Sequence, residues 1–250
     1  MGFDVLVKGF YDQFLADSII AVCSKKRNDI FIDIGANIGL VTIQVGSSFK
    51  RIIALEPNPI AFGVLQANTL IHFSESKLSL RNYGLGCEST VTQIEVPDRN
   101  LGGAFIKSSE NRLTELELAK KEGGDIKVIQ KLKVTIKSAS DFFRMVRMEV
   151  PDAESRIVIK IDVEGMEEPI LRALFNSELW CSREVICFFE TWSNELKTDL
   201  ITLFGRNIFA QPKNKMQWLH PSEINNLEAT TELCIWSPAI ATPSLRSLIK

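Results

Sequence analysis

The sequence predicts an α/β protein, a doubly wound and mostly parallel sheet with helices on both faces. Three observations predict it. Short β-rich runs alternate with helical patterns along most of the chain, the rhythm of βαβ units. The apolar run Ile30-Phe31-Ile32-Asp33-Ile34 passes into Gly35-Ala36-Asn37-Ile38-Gly39, so a strand, a glycine turn and a helix start follow one another. No stretch of the 250 residues reads as a linker, an internal repeat or a low-complexity tract, so residues 1–250 are expected to form a single domain.

The elements follow in order. Residues 1–29 are expected as an N-terminal helical segment, with an amphipathic helix over 5–24 that stops at the polar run from Ser24 to Asp29. Ile30 to Ile34 is a buried strand, and Ile38 to Val45 is the helix after the glycine turn. Arg51 to Leu55 is the second strand, Pro59 to His72 the second helix, and Leu78 to Asn82 the third strand. Thr90 to Val96 alternates like an antiparallel strand, and Leu101-Gly102-Gly103 is a turn. Ser109 to Glu122 is charged and stops at Gly123-Gly124, as a solvated helix or loop would, or as a lid over a pocket. Residues 98–133 are therefore expected as an insert or lid. Strand character resumes from Lys131 to Ile136, and Ser140 to Met148 is a helix. The alternation then returns: strand Ile157 to Ile161, helix Glu167 to Phe175, strand Glu184 to Phe189, helix Asn194 to Phe204. Asn207 to Ala210 and Glu232 to Trp236 close the pattern as antiparallel strands.

Composition narrows the function. Apolar residues make up 45% of the chain, which argues against disorder and against a disulfide scaffold. With 29 Lys and Arg against 31 Asp and Glu there is no electrostatic footprint for nucleic acid. No apolar run approaches the roughly 20 residues of a membrane helix, so no transmembrane segment is expected. The N-terminus carries Asp4 and Asp12 where a signal peptide has a basic start and an unbroken apolar stretch. Leu6 stands where a myristoylation signal has Ser or Thr. The five cysteines are odd in number, scattered and without a CxxC pair, which points to a cytoplasmic chain with buried thiols rather than a zinc site.

Three features carry chemistry. The first is the glycine turn after Ile34, where backbone can approach a ligand closely and a helix N-terminus offers N–H groups. Its spacing is not GxGxxG, which argues against a nicotinamide dinucleotide site. The second is Glu56, which ends the second strand 21 residues after Gly35 and precedes Pro57. A carboxylate there is placed to accept from ribose hydroxyls; the plainer alternative is a surface strand end. The third is Lys160-Ile161-Asp162-Val163-Glu164-Gly165. A lysine in a buried strand needs a partner, and Asp33 and Glu190 are the candidates. Asp162, Glu164 and Glu190 are expected at one sheet edge, where they suit a cationic ligand, a divalent metal or a general base.

FIDIGANIGL, RIIALEPNPIAFGVLQAN, the YGLG stretch from Tyr83 to Gly86, and VIKIDVEGMEEPILRAL together resemble the FkbM family of S-adenosylmethionine-dependent methyltransferases. The resemblance runs from about residue 30 to Glu190. It implies the Rossmann-like class I methyltransferase fold, a seven-stranded sheet with one antiparallel strand. It also implies O-methylation of a hydroxyl on a sugar, a glycan or a natural-product scaffold. By position, Asp33, Gly35, Ala36, Asn37 and Gly39 would form the cofactor loop. Glu56, with Pro57, would hold the ribose; Asn82, Tyr83 and Gly84 would border the adenine; Asp162 would face the methionine end. Asp162, Glu164 and Glu190 are the candidate catalytic acids, or the ligands of a divalent ion such as magnesium if one is used. Relatives often carry a histidine shortly after the strand-end acids, whereas Met166 and Thr191-Trp192 stand here.

Of the two histidines, His72 suits a helix C-terminus, and His220 is a candidate proton acceptor on a late loop. Trp192 and Trp218 suit stacking on a ring or ordinary packing. The expected activity is methyl transfer from S-adenosylmethionine to a small-molecule or glycan hydroxyl. The competing expectation is a nucleoside-binding module without catalysis, within a larger assembly.

Overall fold

The computed structural model describes residues 11–23, 29–97, 104–106, 128–150, 155–190, 194–204, 207–212, 219–223 and 230–237. In chain order the first elements are α1 (Gln13–Ala21), β1 (Ile30–Ile34), α2 (Leu40–Gly46), β2 (Arg51–Leu55), α3 (Pro59–His72) and β3 (Leu78–Arg81). Then come β4 (Gly84–Gly86), β5 (Thr90–Pro97), β6 (Phe105–Ile106), β7 (Val128–Ser138), α4 (Ala139–Glu149) and β8 (Ile157–Ile161). The last are α5 (Glu167–Phe175), α6 (Glu178–Ser182), β9 (Val185–Glu190), α7 (Asn194–Phe204), β10 (Ile208–Pro212) and β11 (Thr230–Trp236).

Seven strands form the main sheet in the order β10-β11-β9-β8-β1-β2-β3. Pairing is parallel from β9 through β8, β1 and β2 to β3, while β11 runs antiparallel to both β9 and β10. This is the expected class I arrangement with one reversed strand. β1 is buried at every position because it lies at the centre with helices over both faces. Ile30, Ile32 and Ile34 join the core beside Phe142, Phe143 and Ile170, whereas Phe31 joins the core beside Leu15, Val41 and Leu65. The two-residue period of a strand thus feeds two separate cores.

Helix starts follow local chemistry. Asn58 Oδ1 accepts from Ile60 N–H at 3.0 Å, and Pro59 occupies the first helical turn of α3. Ser138 and Ser177 cap α4 and α6 in the same way. Glu149 at the end of α4 is gripped by Arg51 (2.6 Å) and Arg81 (3.2 Å), which ties α4 to the edge of the sheet.

A second sheet, β4-β7-β5-β6, was not expected. The strand characters of Thr90 to Val96 and Lys131 to Ile136 were legible, but not that they pair antiparallel with each other. Nor was a strand at Gly84–Gly86, which runs parallel to β7. Ile94, Val96, Val134 and Ile136 give this sheet its own small core. Within the expected insert, 105–106 and 128–133 are therefore strand. The charged stretch Ser109 to Glu122, the turn at 101–103 and residues 1–10 lie outside the described residues. The expectation of buried thiols also needs correction: none of the five cysteines is in a disulfide, but only Cys187 and Cys234 are buried, while Cys87 and Cys181 are exposed.

Gly35 is where the sheet closes on the turn. Its φ is +79°, and a Cβ on it would sit 2.0 Å from the Asp162 carbonyl oxygen. The approach is fixed by hydrogen bonds on both sides, Asp162 N–H to Ile34 O at 3.0 Å and Gly35 N–H to Leu55 O at 3.0 Å. Gly35→Ala therefore adds left-handed backbone strain to a clash with backbone that cannot yield. It should destabilise the fold by about 3 kcal/mol or more and lower Tm by about 6–12 °C. A thermal melt of the variant within a degree of the wild type would refute this account of the turn.

Candidate active site

The carboxyl ends of β1, β2, β8 and β9 open on a cavity of about 350 Å3, within the range of small-molecule sites. Its lining divides by chemistry. Tyr11, Asn37, Glu56, Asp162, Glu164 and Glu190 supply polar groups. Leu85, Ile94, Phe105, Ile106, Ile136 and Met166 supply an apolar wall, most of it from the second sheet.

Beneath the cavity lies a buried ion cluster. Register places Lys160 of β8 beside Asp33 of β1. Lys160 Nζ donates to Asp33 Oδ1 at 3.2 Å and to the Gly35 carbonyl at 3.1 Å, and lies 3.3 Å from Asp162 Oδ2. Thr42 Oγ1 of α2 donates to Asp33 Oδ2 at 2.6 Å. An ammonium has three protons, and here three acceptors surround it. Burial drives the Lys160 pKa down, but the charges of Asp33 and Asp162 outweigh it and hold the group above its ordinary value. Asp33, expected in the cofactor loop, is fully buried and supports the loop from below.

Glu56 fixes the loop from the other side. Its Oε2 accepts from Asn37 N–H and its Oε1 from Asn58 N–H, both at 2.8 Å. Asn37 has φ +51°, so the carboxylate holds a left-handed residue in place. Burial pushes the Glu56 pKa from 4.5 up to about 7, against the pull of those two amides. Asn82 does not line the cavity; its Nδ2 donates to the carbonyls of Glu56 (2.8 Å) and Pro57 (3.2 Å), which joins the ends of β2 and β3. Tyr83 and Gly84 do line it, as do Gly35 and Pro57. Lys137 Nζ stands 5.9 Å from the Tyr83 ring centre. Ala36 and Gly39 are packing positions: a Cβ on Gly39 would meet Leu65 at 2.7 Å.

Asp162, Glu164 and Glu190 come together on the lining, as expected. The expected metal set finds no support: among the described residues no group of three His, Cys, Asp or Glu side chains is placed to hold a metal ion. His220 is not brought to the cavity. Its Nδ1 stands 2.7 Å from Ser222 Oγ, and its ring meets Phe209 edge-on. Trp192 and Trp218 lie outside the described residues. Glu167, which is not on the lining, accepts from Gly165 N–H at 3.3 Å. One polar lining residue was missed. Tyr11 reaches the cavity from the N-terminal segment, with no motif to announce it.

The chain is similar to known methyltransferases. The model of the methyltransferase FkbM domain matches residues 33–206. Methyltransferase sdnD of Sordaria araneosa is 25% identical over 226 residues, covering 83% of this chain and 84% of that protein. Methyltransferase 1 of Beauveria bassiana (strain ARSEF 2860) is 26% identical over 179 residues, covering 70% and 69%. Among solved structures, methyltransferase FkbM of Methylobacillus flagellatus KT is 14% identical with a TM-score of 0.45, over 83% of this chain and 43% of that one. An rRNA methylase of Streptococcus thermophilus is 11% identical with a TM-score of 0.41, over 89% and 93%. Among the described residues no helix is long and apolar enough to cross a membrane.

Two outcomes follow from the buried charges. Because the folded pKa of Glu56 is raised, the folded chain keeps a proton that the unfolded chain has released between pH 4.5 and about 7. Stability should therefore be full at the acid end of that window and fall as pH rises through it, by about 3 kcal/mol in all. Glu56→Gln offers one oxygen to two backbone N–H groups, so it should cost about 1–3 kcal/mol at low pH and flatten the slope. Urea midpoints across the window check this, and an unchanged slope in the variant would assign the effect elsewhere. Lys160→Met strands the buried charge of Asp33 and should cost about 3–5 kcal/mol. Adding Asp33→Asn should recover part of the loss; a double variant no more stable than Lys160→Met contradicts the pairing.

Proposed function

The chain belongs to the FkbM methyltransferase family, and we propose from that premise that it is an S-adenosylmethionine-dependent O-methyltransferase acting on a hydroxyl of a natural-product or sugar acceptor. The observation that carries this reading is the make-up of one cavity, which is lined both by the carboxylates of Asp162, Glu164 and Glu190 and by apolar side chains drawn chiefly from the second sheet.

The residues fit the cofactor. Gly35 and Gly84 both line the cavity and are closely packed: a Cβ on Gly35 would meet the Asp162 backbone at 2.0 Å, and one on Gly84 would meet Ile136 at 2.9 Å. Glu56 already accepts two backbone N–H groups, yet a carboxylate has about four lone-pair sites, so ribose hydroxyls can still be received. Tyr83 and Gly84 border the far end, where a base would lie. Bound there, S-adenosylmethionine supplies an electrophilic methyl group on a positively charged sulfur, which a carboxylate end suits.

The remaining work falls to the chain itself. Asp162, held by Lys160, contributes a fixed negative charge at that end. Glu164 or Glu190 takes the proton from the acceptor hydroxyl as its oxygen becomes nucleophilic. The apolar wall excludes water and holds the body of the acceptor, so that positioning supplies much of the acceleration. The apolar share of the lining favours an acceptor with a hydrophobic scaffold over a free sugar.

The test is methyl transfer from labelled S-adenosylmethionine to a panel of hydroxylated scaffolds and sugars. Transfer to oxygen on an apolar scaffold is expected. Of Glu164→Gln and Glu190→Gln, the one that removes the base should lower kcat about 100-fold or more, with the other changing it far less. Cofactor binding without transfer to any acceptor would favour the nucleoside-binding module instead.

A further inference from the structure

Tyr11 lies outside residues 33–206, the span of the family match, yet it lines the cavity beside Asp162, Glu164 and Glu190. It also bounds a second, polar pocket of about 40 Å3 with Asp12, Lys160, Asp162 and Glu190. Tyr11, Asp162 and Glu190 are thus the partition between the two spaces.

The position of Tyr11 is held from its backbone. Gln44 of α2 reaches across, its Oε1 accepting from Tyr11 N–H at 2.8 Å and its Nε2 donating to Tyr11 O at 2.7 Å. One side-chain amide satisfies both peptide groups of one residue, as a neighbouring strand would. Asp12 then caps α1 by accepting from Leu15 N–H at 3.0 Å. The phenol is half-buried, and burial, then the charge of Asp162, push its pKa up to about 12. It stays a neutral hydrogen-bond donor beside carboxylates, and its ring offers a flat apolar face.

We propose that Tyr11 is a ligand-binding residue at the methyl-transfer end of the cavity and that Gln44 is its positioning residue, so that occupancy of the cavity and docking of the N-terminal segment are coupled. The inference rests on reading the cavity as the S-adenosylmethionine site. The ring supplies the contact and the Gln44 clasp supplies its placement. Occupancy then stabilises the clasp, and loss of the clasp weakens binding, since linkage is reciprocal.

The experiment is calorimetric titration of the full chain with S-adenosylhomocysteine, together with amide hydrogen exchange over residues 11–21. Tyr11→Ala should weaken binding about 10-fold or more, as loss of an aromatic anchor does. Tyr11→Phe keeps the ring and should stay within about threefold of the wild type. Gln44→Ala should weaken binding by a smaller factor, and Tyr11→Ala with Gln44→Ala should be no weaker than Tyr11→Ala alone, the non-additivity of residues acting through one contact. In the wild type the ligand should slow exchange over residues 11–21; in Gln44→Ala it should not. Unchanged affinity in Tyr11→Ala, or in Gln44→Ala where Tyr11→Ala fails to fold, overturns the proposal and leaves the cofactor reading intact. A wild type that binds no S-adenosylhomocysteine overturns the cofactor reading itself, and the proposal with it.

Discussion

The buried ammonium of Lys160 is the constraint on which the site depends. A cation in the middle of a β-branched strand is unfavourable unless its charge and all its protons are met. Meeting them requires Asp33 on the adjacent strand, in register, and Asp162 just past the end of its own strand. It also requires the carbonyl of Gly35 to turn inward, which fixes the first residue of the glycine turn. The charge therefore aligns β1 with β8, shapes the loop between β1 and α2, and fixes a carboxylate at the sheet edge. Fold and site share one interaction, and neither can be altered there without the other.

Above that cluster the cavity is assembled from two sources. The main sheet contributes the polar floor through the ends of its central strands, and the second sheet contributes the apolar wall through Ile94, Phe105, Ile106 and Ile136. The two meet where β4 lies along β7 and where Gly84 passes Pro57. Small-molecule specificity in open α/β folds arises outside the carboxyl ends of the strands, and here that region is furnished by a separate sheet rather than by loops alone.

Much of this was legible in the sequence, and the reasons differ by element. β1, β2, β8, α3, α5 and α7 were read to within a residue, because their apolar patterns are long and bounded by Gly, Pro or Asn. A buried lysine needs a partner, and the sequence offers Asp33 and Glu190 for Lys160; the structure pairs it with Asp33 and with Asp162. The joint placement of Asp162, Glu164 and Glu190 followed from their positions at strand ends. The second sheet was not legible, since β4 has two glycines in three residues and β6 has two residues in all. Tyr11 was not legible either: a tyrosine ahead of an amphipathic helix carries no signal until Gln44, far along the chain, is found to hold it. His220 suggested itself by its intrinsic pKa alone, and pKa says nothing about place.

The double acceptance by Glu56 has a consequence in entropy. A glycine-bearing turn is costly to order, because its residues sample many conformations when free. Here the carboxylate freezes that turn by gripping the amides of Asn37 and Asn58. The ordering is completed when the chain folds. An arriving ligand meets a surface already set in shape, and its binding energy is not diminished by the loop's lost freedom.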